Sequence, residues 1–116
     1  MSTNLQEEVH QLHAHICSGL ADPARILILY SLANKSCHVN ELATELNLPQ
    51  PTVSRHLKTL RERGLVVSER DAQYIHYHLA DQRVIAALDL LRAVMADNLK
   101  EQAQIALAAT QANQST

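Results

Sequence analysis

Apolar residues recur every three or four positions along most of this chain, and the spacing drops to two over residues 65–79. That change of period dictates a helical body carrying one small β element. At 116 residues the chain is long enough for one domain. Two Gly and three Pro are too few for the many tight turns of a β-sandwich or barrel. With 3% aromatics, no Phe and no Trp, the core has to be aliphatic, which suits helices packed on helices. Hydrophobic residues at 47% against 19% charged are enough to bury such a core.

Several function classes drop out. No apolar run approaches the roughly 18–20 residues of a membrane-spanning helix. The first eight residues are polar and acidic, unlike a secretory leader. Two cysteines do not make a disulfide scaffold, so the chain reads as cytoplasmic with thiols that start reduced. There is no Gly-rich phosphate loop, no paired-cysteine zinc knuckle and no Gly-x-Ser-x-Gly elbow. Nor does any nucleophile come with a recognisable base, so no enzyme is expected.

Leu5, Val9, Leu12, Ile16 and Leu20 predict a first helix over residues 4–18, ending near Gly19. Asp22 followed by Pro23 is an N-cap with proline at the first helical position, and opens a second helix to about residue 34. Val39–Leu46 is a short helix, residues 47–50 a turn, and Pro51 opens a longer helix closed at about Arg63 by Gly64. Residues 65–70 and 74–79 then form a hairpin. Asp81 caps a last helix with an apolar stripe at Val84, Leu88, Leu91, Met95 and Leu99. Residues 1–110 are read as one domain and 111–116 as a frayed tail.

Two helices joined by a short turn, then a hairpin, have the layout of a winged helix-turn-helix, whose second helix enters the DNA major groove. The candidate DNA-binding residues are Gln50, Thr52, Ser54, Arg55, His56, Lys58 and Arg61 on or near that helix, and Arg70 on the hairpin. Gln and Arg offer paired hydrogen bonds to adenine and guanine edges, while Ser, Thr and Lys reach bases or phosphates. The first turn of the helix is also expected to offer free N–H groups to a phosphate. A net charge of −2 argues against a nucleic-acid partner only until it is mapped. Residues 50–70 hold five basic and two acidic side chains, a local +3, so the remainder carries −5. Positive charge is concentrated where DNA is expected to sit.

These residues resemble the ArsR/SmtB family of winged-helix repressors. The resemblance rests on Leu20-Ala21-Asp22-Pro23-Ala24-Arg25, Val39-Asn40-Glu41-Leu42-Ala43, Gln50-Pro51-Thr52-Val53-Ser54-Arg55-His56-Leu57 and Leu60-Arg61-Glu62-Arg63-Gly64-Leu65-Val66. It covers residues 20–79, and the last helix matches by position and pattern. It implies a mainly α fold with one β-hairpin and a homodimer built from the first and last helices. It also implies a repressor that binds a palindromic operator on double-stranded DNA and leaves it when an inducer arrives. The apolar stripes of the first and last helices independently favour a dimer. Asp71 and Gln73 stand where the family's wing commonly carries arginine, which leaves Arg70 and Tyr74 as its DNA contacts.

The sensor departs from the family's patterns. In the zinc-type site of the last helix, the histidine positions fall on Arg83, Val94 and Asp97, so that site is not expected. The thiolate positions fall on His38 and Asn40, with Cys37 one residue earlier. In the first helix His13 and Cys17, together with His10, are spaced to share one face. The resemblance implies that the first helix of one subunit meets the cysteine-bearing helix of the other, joining Cys17 and His13 to Cys37 and His38 of the partner subunit. Such a set suits a thiophilic metal or metalloid ion as inducer. Oxidation of Cys17 and Cys37 is a second reading, and two packed thiols in a regulator without effector a third.

Overall fold

The computed structural model describes residues 3–114 and divides into two compact units with a boundary between Gln82 and Arg83. The first unit begins with α1 (Thr3–Leu12), a π-helical turn over His13–Cys17 and a short α2 (Ser18–Leu20). Next come α3 (Pro23–Leu32), β1 (Cys37–His38), α4 (Val39–Leu46), α5 (Gln50–Glu62), β2 (Val66–Asp71) and β3 (Tyr74–Leu79). The second unit is one helix, α6 (Arg83–Gln114). It runs past residue 111, where the sequence predicts fraying, and residues 115–116 lie outside the described range.

Local chemistry accounts for the helix boundaries. Asp22 takes an extended conformation and its Oδ1 accepts from the Ala24 N–H at 2.8 Å, with Pro23 supplying a helical φ behind it. Asp22→Ala should therefore lower stability by about 1 kcal/mol, read as a shift in the urea midpoint, while Asp22→Asn or Ser should recover most of it. Helices α4 and α5 end with the same device. Asn47 sits at φ 54° and Gly64 at φ 73°, each in the left-handed region. Leu48 N–H then reaches back to the Ala43 carbonyl at 3.0 Å, and Leu65 N–H to the Leu60 carbonyl at 2.9 Å.

Most of the core lies within the first unit. Ile28, Leu29 and Leu32 of α3, Leu42 of α4, Val53, Leu57 and Leu60 of α5, and Leu65 and Val66 at the start of the hairpin are all buried. Every one is aliphatic, as the composition requires. Helix α5 packs on α3, α4 and β2, and its four-then-three apolar spacing puts Val53, Leu57 and Leu60 on one side.

Two features differ from the sequence reading. The hairpin is a three-stranded antiparallel sheet in the order β1-β3-β2, because Cys37 and His38 pair with Tyr77 and His76. The first helix also changes winding at His13–Cys17. Its i→i+5 turn takes in an extra residue and rotates the downstream residues by roughly a quarter turn. Cys17 is the last residue of that turn.

Candidate nucleic-acid interface

The turn between α4 and α5 sets how α5 is presented. Leu42 anchors α4, Asn47 stops it, and Pro49 (φ −59°, ψ 140°) starts α5 at once. With Val53, Leu57 and Leu60 turned inward, Gln50, Arg55, Lys58 and Arg61 are exposed, and Thr52 and Ser54 are half-buried beside them. Short contacts along the helix organise this face. Gln50 Nε2 donates to Ser54 Oγ at 3.4 Å, and Arg55 Nη2 to Thr52 Oγ1 at 3.3 Å. Such weak exposed bonds hold long side chains near one rotamer without consuming their other donors.

Three sequence expectations change. His56 is half-buried and faces α3, with its Nδ1 3.4 Å from Arg25 Nη1. Arg25 also donates to the carbonyls of Gly19 and Ser18, so His56 belongs to a polar seam rather than to the outward face. Arg63, counted among the basic residues, donates to the Ala14 carbonyl at 3.1 Å and ties the first helix to the end of α5. Gly19 is buried at this seam, where a Cβ would come within 2.9 Å of Leu65 Cδ1. The first turn of α5 is also poorer in donors than expected. Pro51 has no N–H, and the N–H groups of Thr52 and Val53 both bond the Pro49 carbonyl. Gln50 is left as the first-turn residue whose N–H lies outside these bonds.

The wing is not uniformly basic. Arg70 is exposed on β2 between Glu69 and Asp71. His78 Nε2 is buried, makes no hydrogen bond, and lies 3.5 Å from Glu69 Oε1, an approach short enough for an ion pair when the imidazole is protonated. Two residues, Ala72 and Gln73, join β2 to β3, and Ala72 takes φ 54°. A cleft of about 320 Å³ separates the wing from the helix pair, with Asn40, Gln50 and Ser54 on one side and Gln73 and Tyr74 on the other.

The sensor candidates are scattered in one chain. Cys17 is exposed, and so is His13 at the other end of the π turn. Cys37 is fully buried in β1, and burial together with the carboxylates of Glu41 and Glu45 pushes its thiol pKa up. His38 is occupied as the N-cap of α4. Its Nδ1 accepts from the Glu41 N–H at 3.4 Å, its backbone N–H donates to Glu41 Oε1 at 3.1 Å, and its Nε2 lies 3.3 Å from the same oxygen. This reciprocal cap uses a histidine where Ser or Thr is usual, which is why residue type alone points to a ligand at His38. The backbone bond from His38 holds the Glu41 carboxyl below its ordinary pKa. Among the described residues of one chain, no three His, Cys, Asp or Glu side chains gather to hold a metal ion.

A helix pair with a polar outward helix, backed by a small antiparallel sheet, defines a winged helix-turn-helix DNA-binding domain. The family model for "Bacterial regulatory protein, arsR family" matches residues 22–68, from the cap of α3 through the start of the wing. The biofilm growth-associated repressor of Agrobacterium fabrum is 39% identical, over 70% of this chain and 69% of its own length. The solution structure of the homodimeric winged helix-turn-helix DNA-binding domain of Mb0332 from Mycobacterium bovis superposes with a TM-score of 0.74. It is 27% identical, over 87% of this chain and 93% of that one. The cadmium metal-sensor CmtR from Mycobacterium tuberculosis is 40% identical with a TM-score of 0.58, over 67% of this chain and 81% of its own. The chain belongs to the arsR family of bacterial transcriptional regulators. Among the described residues no helix is long and apolar enough to cross a membrane.

Proposed function

We propose that this protein is a homodimeric repressor, not an enzyme, that reads a palindromic operator with one α5 helix in each half-site. The observation that carries it is the two-sidedness of α5, whose buried face is core and whose outward face presents Gln50, Arg55, Lys58 and Arg61. Dimerisation is supported by apolar surface on both terminal helices. Leu5, Val9 and Leu12 of α1 are 42–50% exposed, and Leu90, Leu91, Val94, Met95 and Leu99 of α6 are 56–70% exposed. The homodimeric relative assembles with the same fold. Sedimentation of the purified chain, together with binding to the region upstream of its own coding sequence, tests the reading. A dimer that loses affinity when one half-site is scrambled supports it. A monomer that binds one half-site as tightly as the full palindrome overturns it.

For the inducer, the observations favour Cys17 as the point of entry, since it is the thiol that solvent reaches. A thiophilic metal or metalloid bound there with His13 has to recruit further donors from a second protomer, as the resemblance implies for Cys37 and His38 of the partner subunit. Ligation by His38 also requires the α4 cap to open. Oxidation of Cys17 needs neither step. Metal content and DNA release of the wild type and of Cys17→Ser, with and without oxidant, separate the two. Loss of metal binding with loss of release supports ligation, and release by oxidant alone supports the thiol switch. Release unchanged in Cys17→Ser removes both.

Thiol titration of the reduced, folded protein should show one fast group, Cys17, and a slow one, Cys37, that reacts only as β1 opens. The raised pKa of Cys37 also fixes a sign. The folded chain keeps its proton where the unfolded thiol has already lost it, so stability falls as pH rises through the ordinary thiol range. Thermal melts from pH 7 to pH 10 should show this decline, and Cys37→Ala should reduce it.

A further inference from the structure

Beyond the β1–β3 pairing, a ring contact joins the wing to the start of α4, and the DNA-reading role does not account for it. The His38 imidazole, 29% exposed as a side chain, stacks on the ring of Tyr74. The ring centroids are 5.4 Å apart and the planes are inclined by 23°. The His76 ring meets the same imidazole edge-on at 6.0 Å. His38 is also the N-cap of α4, and its backbone pairs with His76 in the sheet. Tyr74 is the first residue of β3, directly after the turn at the wing tip. It is half exposed, and it lines the cleft whose far wall carries Asn40, Gln50 and Ser54.

A hairpin tip with a two-residue turn and little buried surface is free to swing unless something pins it. Leu65 and Val66 anchor the base of this wing in the core, but Val67, Tyr74 and Ile75 are all 39–50% exposed. The β1 pairing holds β3 at His76 and Tyr77, and the stack on His38 lies beyond it, at the residue next to the tip turn. Stacked rings prefer a narrow range of offsets, so such a pair fixes direction as well as distance.

We infer that His38 is a positioning residue whose ring, stacked on Tyr74, latches the wing tip to the start of α4 and so sets the width of the cleft beside α5. The latch orders the wing in the free protein. Its effect on DNA affinity rests on the repressor reading above, while its effect on wing order does not. Because the same imidazole caps α4, whatever pulls that ring away also releases the wing.

The variants separate the ring from the cap. His38→Asn retains a good N-cap acceptor and loses the ring. Tyr74→Ala removes the partner at a half-exposed site, and Tyr74→Phe keeps the stack. Amide exchange across β3 in the absence of DNA should speed up by about 2- to 12-fold in His38→Asn and in Tyr74→Ala. It should be unchanged in Tyr74→Phe, and the double variant should be no faster than the more affected single. Affinity for the upstream DNA, measured in parallel, should fall by similar factors in His38→Asn and in Tyr74→Ala. Wild-type exchange in His38→Asn, or additive effects in the double variant, overturns the latch. Loss of affinity in Tyr74→Phe equal to that in Tyr74→Ala overturns the positioning role, since the hydroxyl then acts directly on DNA. If the wild type binds no DNA while the exchange pattern holds, the repressor reading fails and the latch stands.

Discussion

Leu57→Ala should destabilise the protein by about 2–5 kcal/mol, the largest loss expected from any single side chain. Leu57 is fully buried on α5, the helix that packs on α3, α4 and β2. Truncation there leaves a cavity where several elements meet, and a close-packed interior collapses onto it only in part. In a chain of this size a loss of that order is a large fraction of the total. DNA binding should weaken with it, because the helix proposed to read DNA is the helix that holds the core. Urea unfolding followed by circular dichroism measures the loss. Leu57→Met, which conserves volume, should cost less than about 1.5 kcal/mol. An alanine variant within about 1 kcal/mol of wild type contradicts this account of α5.

Arg55→Ala should weaken binding to the cognate operator by about 1–3 kcal/mol, or roughly 5- to 150-fold, with little change in stability. Arg55 is exposed on the outward face of α5, and its bond to Thr52 Oγ1 is long enough to be exchanged for a base edge. A base contact predicts that the loss is concentrated on the cognate sequence. A phosphate contact predicts equal loss on every sequence and a shallower dependence on salt. Lys58 and Arg61, further along the helix, are expected to behave in the second way. Anisotropy titrations on cognate and scrambled duplexes at two salt concentrations distinguish the cases. Binding by Arg55→Ala indistinguishable from wild type on both duplexes removes Arg55 from the interface.

Much of this was legible in the residues. The Asp22–Pro23 cap, the left-handed stop at Gly64 and the inward set Val53, Leu57 and Leu60 follow from rules that involve a few adjacent positions. Those rules set the helix-turn-helix and hence the outward face of α5 that is proposed to meet DNA. His56 was not legible in the same way. Its place on α5 is equally compatible with DNA and with α3, and the guanidinium of Arg25 that faces it lies 31 residues away in sequence. Arg63 reads as surface charge until the Ala14 carbonyl, 49 residues distant, is brought to it.

The sensor candidates show the same division. Cys17 and Cys37 are alike as letters, yet one thiol is exposed and the other is sealed in the sheet with its ionisation suppressed. His38 carries metal-ligand chemistry in the sequence and performs capping and stacking in the fold. No local pattern separates these outcomes, because each depends on which distant element arrives alongside.

By itself the sequence determined the order of the main helices and the hairpin, the aliphatic core, and the basic outward face of α5, since periodicity, capping and charge placement are encoded within a few turns of chain. Only the tertiary structure decided that Cys37 and His38 form a strand. Two residues are too short to show alternation, and they become β1 solely through pairing with His76 and Tyr77. That one pairing buries a thiol and brings the imidazole of His38 against the wing.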